Sequence, residues 1–428
     1  MHTKHSEKGQ ALIFIALASI MLVSFAALAI DGSMVFSDKR HAQNAADTSS
    51  LTAALEIARK KDWNTTVVLA DDRAASNGYN NDSTTNTVEV YLCNAPQATC
   101  LALPANAKQE EYVQVKITSH VKTNFARVIG VTEVVNHVDA VAHAVPGYRK
   151  SIFGGNALVA LNTRDCPAMD FKGSSTTTIT GSGVFVNSNC NSGSNQAFNA
   201  STGSGTFDTP CMNVAGGITI GTNTVLRSPG TSCANHTNDP SIQIPDPSTA
   251  YKKPNPCGTA AGTYDVTTLS PGNYTGAFPP GNQTVMNPGV YCIDAGNQGF
   301  TLTGGQTLTG NNVLIYMKSG NVSWSSGGIH LSAMSGMDPA LDGLLLYVAP
   351  GNCSDVSITG NGTSSYTGTI LAPCSNVKLA GGSSTGNVLE NQIIADTITL
   401  TGSNTLNINF NASQQWQPPV PPAIEVNQ

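Results

Sequence analysis

Charge is what this chain has least of. Charged residues make up 11% of it, less than half of the roughly 25% usual in globular domains. There is no excess of Lys and Arg either: 21 stand against 27 Asp and Glu, for a formal net charge of −6. Neutralising phosphates takes clustered cations, so nucleic-acid binding is excluded as a main role. Disorder driven by self-repelling charge is excluded on the same ground. Aromatic residues are also sparse, at 6%. The chain lacks C-x-x-C and any phosphate-cradling glycine loop, which removes support for zinc or thiol-exchange sites and nucleotide enzymes. What is abundant is Gly, Thr, Ser and Asn, the composition of a turn-rich β protein.

The little charge present is unevenly placed. Residues 1–150 carry 14 basic and 14 acidic residues, whereas residues 151–428 carry 7 and 13. The break falls by Pro146-Gly147, where the chain is punctuated for a turn.

One long apolar run is present. Ala11–Ile30 is 20 residues without a charge, about 30 Å as a helix and so matched to a bilayer core. A secretory signal would be shorter and would end at a small-residue cleavage site. Here the run continues through Asp31-Gly32 into a stretch, Met34 to Lys61, with neither Pro nor Gly. Val35, Ala42, Ala45, Ser49, Ala53 and Ile57 recur on one face of that stretch. The pattern predicts one helix of about 50 residues, about 75 Å long. Its first half suits lipid and its second half suits a packed partner. Lys4 and Lys8 precede the run and favour a cytoplasmic N-terminus.

All ten cysteines follow residue 90 and fall as close neighbours: Cys93 with Cys100, Cys166 with Cys190, Cys211 with Cys233, Cys257 with Cys292, and Cys353 with Cys374. Local disulfides in an oxidising compartment are the expected use, with the bulk of the chain outside the cytoplasmic membrane, extracellular or periplasmic.

Glu7-Lys8-Gly9-Gln10-Ala11, the apolar run, Asp31-Gly32 and Arg40-His41-Ala42-Gln43-Asn44-Ala45-Ala46-Asp47 together resemble the N-terminus of TadE/TadG-like Flp (tight adherence) pilus-assembly proteins. The resemblance is specific over residues 7–60 and looser to residue 148, through short alternating stretches such as Tyr112–Ile117 and Val138–Ala142. It implies a minor pilin or assembly factor that meets other pilus-system proteins through its N-terminal helix, with a small α/β pilin-like domain after the helix. It further implies prepilin-type cleavage between Gly9 and Gln10. Phe14 stands where pilins carry Glu at the fifth mature position.

Residues beyond 148 show a period. Cys353–Ile358 aligns with Cys374–Leu379 and then with Ala395–Leu400 at 21-residue steps, and Asn321–Trp324 and Gly299–Leu302 fit the same track. Leu345–Pro350, Thr369–Pro373 and Ile393–Ala395 form a second track. Two strand tracks at one period with no helix between them predict an all-β right-handed parallel β-helix, a solenoid. Cys353 and Cys374 would then sit on adjacent rungs about 4.8 Å apart, close to disulfide spacing. The Pro-Gly-x-Tyr turns at Pro271–Tyr274 and Pro288–Tyr291, with Gly368–Ala372 downstream, are similar to the ice-binding-like β-solenoids over about residues 264–410. The outward pairs Thr301/Thr303, Ser323/Ser325, Ser357/Thr359 and Thr399/Thr401 are interrupted by Lys378/Ala380, which breaks the flat threonine surface an ice binder needs.

The expected organisation is a leader-like cytoplasmic tail (1–10), a transmembrane half-helix (11–30), an amphipathic half-helix (31–60), a small α/β domain (61–148), the solenoid (149–412) and a Pro-rich tail (413–428) left as an extended strap. No catalytic, cofactor-binding or metal-binding residue is expected. The nearest acid groupings, Asp165 with Asp170 and Asp338 with Asp342, read as solvated turn residues; His236 and His330 have no motif partner. The expected function is a membrane-anchored pilus component displaying the solenoid for adhesion to a glycan or other surface ligand. A cell-surface polysaccharide-active β-helix enzyme and an ice- or surface-binding adhesin are the alternatives.

Overall fold

The computed structural model describes residues 8–101, 103–174, 176–227, 237–238, 256–325, 327–338, 340–359, 363–381 and 387–427. The chain divides into two compact units: residues 1–148 with 420–428, and residues 149–419.

In the first unit, α1 (Lys8–Ala58) is one uninterrupted helix of 51 residues. Only Gly9 and Gly32 weaken its propensity, and no proline breaks it. It stops at Lys60, whose φ of 60° is left-handed. Asp62 then caps α2 (Trp63–Ser76) by accepting the Thr65 N–H at 3.0 Å. The strands β1 (Asn86–Leu92), β2 (Tyr112–Lys122) and β3 (Glu133–Val145) follow and form an antiparallel sheet. A fourth strand comes from the far end of the chain: Ala423–Asn427 pairs antiparallel with β3, Ile424 opposite Ala144. The C-terminal half of α1 presses Ala42, Ala45 and Ala46 onto Val115, Ile117, Val138 and Ala140. Alanines let the helix approach the sheet closely, so the small-residue stripe is the packing face.

The second unit is built from short strands paired in parallel. Their registers form three columns. One runs Tyr291, Ile315, Leu346, Ile370, Ile393, Leu158, Val184, Met212. Another runs Phe300, Val322, Val356, Val377, Ile398, Met169, Phe198, Ile218. The third includes Leu331, Tyr366, Leu389, Ile408 and Ile179. All but Ile218 are buried in one continuous core, where Phe278, Phe300, Trp324 and Tyr366 follow one another at ring separations of 4.7, 5.3 and 5.5 Å, the first two contacts edge-to-face and the last stacked.

Two features differ from the sequence reading. There are three columns, not two, because the strands at Leu308–Ser319, Ile329–Ala333 and the first part of Ser365–Ala380 are separated by irregular intervals that hide their period. Nor does the stack follow chain order. Leu158–Ala160 pairs with Ile393–Ala395, and Thr177–Thr180 pairs with Leu406–Asn409. The segment 158–227 therefore continues the stack beyond residue 409.

The Pro-rich end is corrected as well. It is not a strap lying free of the body. Trp416 is buried in a second core cluster with Leu344, Leu371 and Ile394; its indole N–H donates to the Ala340 carbonyl at 3.1 Å, and its backbone N–H donates to Thr369 Oγ1 at 2.8 Å. A large apolar ring with one donor gains more from this pocket than from water.

Candidate functional site

The feature with the clearest functional chemistry is α1. From Ile13 to Leu28 its large apolar side chains are exposed, and it is the one described helix long and apolar enough to cross a membrane. Its two polar side chains there are internally satisfied. The hydroxyl of Ser19 donates to the Ile15 carbonyl, and that of Ser24 to the Ile20 carbonyl, each at 2.8 Å. Neither hydroxyl is left needing water. Phe14 is exposed. Gly9 and Gln10 lie in the first turns of the helix backbone; residues 1–7, most of the leader-like tail, lie outside the described residues.

Where the apolar run ends, carboxylates fasten α1 to its own unit. Asp31 accepts the backbone N–H groups of Asn124, Phe125 and Ala126 at 3.0, 2.9 and 2.6 Å. Those donors, Ala126 foremost, outweigh burial and hold its carboxyl below the usual range. Two turns on, Asp38 accepts from the Tyr79 hydroxyl at 3.1 Å, Ser119 Oγ at 2.8 Å and Asn136 Nδ2 at 2.7 Å. Burial, reinforced by the Asp38 charge, pushes the Tyr79 phenol well above its ordinary value, so it stays a donor. The sequence reading missed both anchors. Asp31 and Asp38 lie seven residues apart on one helix face, and that spacing is the signal that could have revealed them.

Four disulfides are in place: Cys93–Cys100, Cys166–Cys190, Cys257–Cys292 and Cys353–Cys374. The last joins adjacent layers with a Cα separation of 4.7 Å. The expected Cys211–Cys233 pairing lies outside the described residues, because Cys233 does. There is no free cysteine among the described residues.

Asp170 and Asp342 are buried, which corrects their reading as solvated turn residues. Asp170 accepts from Asn199 at 2.9 Å and pairs with Lys172 at 2.7 Å. Asp342 pairs with Arg149 at 3.0 Å. Burial pushes Asp342 up, yet Arg149 and the surrounding backbone N–H groups prevail, so its carboxyl titrates below the usual range. Asp165 stays exposed. His330 Nδ1 lies 2.9 Å from Ser365 Oγ, and His236 lies outside the described residues. No group of three His, Cys, Asp or Glu side chains converges among the described residues.

Residues 9–56 match the Tad family, Flp pilus-assembly TadE/G-like. The match spans the apolar run, Asp31, Asp38 and the alanine packing face. No curated protein and no solved structure matches the chain.

Proposed function

We propose that the chain is a single-pass, membrane-anchored component of a Flp (tight adherence) pilus system, acting as a minor pilin or assembly protein. In this reading, residues 149–419 form a right-handed parallel β-solenoid displayed outside the cytoplasmic membrane for adhesion, and residues 61–148 with the C-terminal strand form a pilin-like domain. One observation carries the proposal: the family match at 9–56 coincides with a helix whose large apolar side chains are exposed from Ile13 to Leu28 and whose alanine face beyond is packed. The disulfides support an oxidising compartment. The parallel registers and three buried columns support the solenoid. A structural role is favoured over polysaccharide cleavage because the buried acids of the two groupings, Asp170 and Asp342, are each held in an ion pair, with Lys172 and Arg149.

Fractionation of the native cell tests the anchor. The chain should resist carbonate extraction from membranes, and its second unit should be cut by protease added to spheroplasts. Removing the gene should reduce surface pili or attachment. Extraction into carbonate, or unchanged piliation and attachment, would overturn the reading.

A further inference from the structure

We infer that residues 124–131 form a second membrane contact, a loop that enters the same leaflet as the upper part of α1; this rests on the proposal that Ala11–Ile30 spans the bilayer. The loop hangs from Asp31 by the three N–H bonds described above. Below that clamp it borders Ile20, Met21, Ser24 and Leu28 of α1 across an apolar groove of about 470 Å³. With a rise of 1.5 Å per residue, those positions lie roughly 4–17 Å below Asp31 along the helix axis. Half a hydrocarbon core is about 15 Å. The loop is thus placed at hydrocarbon depth if the helix spans.

Its chemistry fits lipid and not water. Val128 is 86% exposed and Ile129 77%, and Phe125 and Val131 are exposed beside them. A loop tip facing water carries Gly, Asn, Asp or Ser in such positions. The one charge, Arg127, sits on a side chain long enough to reach back to lipid phosphates. The backbone is equally prepared. Asn124, Phe125 and Ala126 donate to Asp31; Val128 donates to the Phe125 carbonyl, Gly130 to Arg127 and Val131 to Ala126. With six of its eight N–H groups so partnered, the loop can leave water at a reduced cost. Gly130, with φ at 93°, makes the left-handed turn that brings the chain back. The apolar tip is continuous with the exposed apolar surface of α1, and this continuity identifies the bilayer as its occupant.

The test uses the full chain reconstituted in phosphatidylcholine vesicles whose acyl chains are brominated, read by tryptophan emission after subtracting the unsubstituted protein. Val128→Trp and Ile129→Trp replace exposed side chains and leave the packing intact. Leu22→Trp reports on the span, and Lys61→Trp, just past the end of a helix that runs about 40 Å beyond Asp31, reports on water. Val128→Trp and Ile129→Trp should lose emission to the extent that Leu22→Trp does, while Lys61→Trp keeps its own. If Leu22→Trp is quenched and the loop variants behave like Lys61→Trp, the inference is overturned and the span stands; cross-linking between copies through position 128 would then identify a second chain as the occupant. If Leu22→Trp is also unquenched, the span fails and the loop contact fails with it.

Discussion

The Pro-Gly-x-Tyr turns show how one hydroxyl can fasten two layers. Tyr291 sets its hydroxyl 2.8 Å from the carbonyl of Asn287, four residues back in its own turn, and 2.8 Å from that of Leu269 in the preceding layer, so its one proton is shared between two acceptors. Tyr274 repeats the arrangement on Ser270 and Thr263. The ring is buried, and burial pushes the Tyr291 phenol far above its ordinary value, so it remains a donor. Tyr291→Phe keeps the ring and removes the hydroxyl that bridges the two carbonyls, leaving that of Leu269 with the Asn287 N–H at 3.0 Å. The expected loss is about 1–2 kcal/mol of unfolding free energy, measured by denaturant titration of the full chain, against no measurable change for the exposed Tyr264→Phe. An unchanged midpoint for Tyr291→Phe would show that the hydroxyl does not clamp the layers. The motif was visible in the sequence as a turn. Its hydroxyl partners were not, because the second acceptor lies in another layer and no local spacing encodes it.

At the scale of elements, what was legible depended on whether the period was regular. Val356, Val377 and Ile398 are 21 residues apart and pair in register; the disulfide Cys353–Cys374 spans the same interval. The long helix was legible because hydropathy and the alanine stripe agree over its whole length. The third column was not, because insertions around Met334–Leu341 stretch its interval. The apolar loop 124–131 was also passed over: four apolar residues around one glycine give no periodicity to read. The Cys353–Cys374 bridge closes a loop of 21 residues, and the chain-entropy estimate for such a loop is about 3 kcal/mol. Replacing both cysteines by serine should lower stability by up to that amount, seen as a fall in the thermal midpoint of the oxidised protein. Reductant added to the unsubstituted protein should lower the midpoint further, since three other described bridges would open. If the double-serine variant melts with the unsubstituted protein, the bridge decorates a stack already held by its strands.

For the whole chain, the decisive fact is that neighbours in space are not neighbours in sequence. The layer 387–401 is covered on one side by 365–380 and on the other by 158–160, 169–171 and 406–408. A stacked parallel sheet is stable only where each layer buries its inner side chains against the next, and this order lets Leu158, Val184 and Met212 extend a column that would otherwise end at Ile393. It also brings the beginning and the end of the second unit to the middle of its own stack. The chain can then leave it and supply Ala423–Asn427 to the open edge of β3, covering an edge that would otherwise invite pairing with other chains. No sequence period could show this, since the closing contacts span more than 200 residues. The order is directly testable. Thr178 and Asn407 face each other in register and are both partly exposed, and adjacent strands lie about 4.8 Å apart, within reach of a disulfide. In the full chain carrying Thr178→Cys and Asn407→Cys, peptide mapping of the oxidised protein should find a 178–407 link, with the native bridges retained. A stack built in chain order would hold these two positions layers apart. Persistent free thiols at 178 and 407 would therefore reject the non-sequential arrangement.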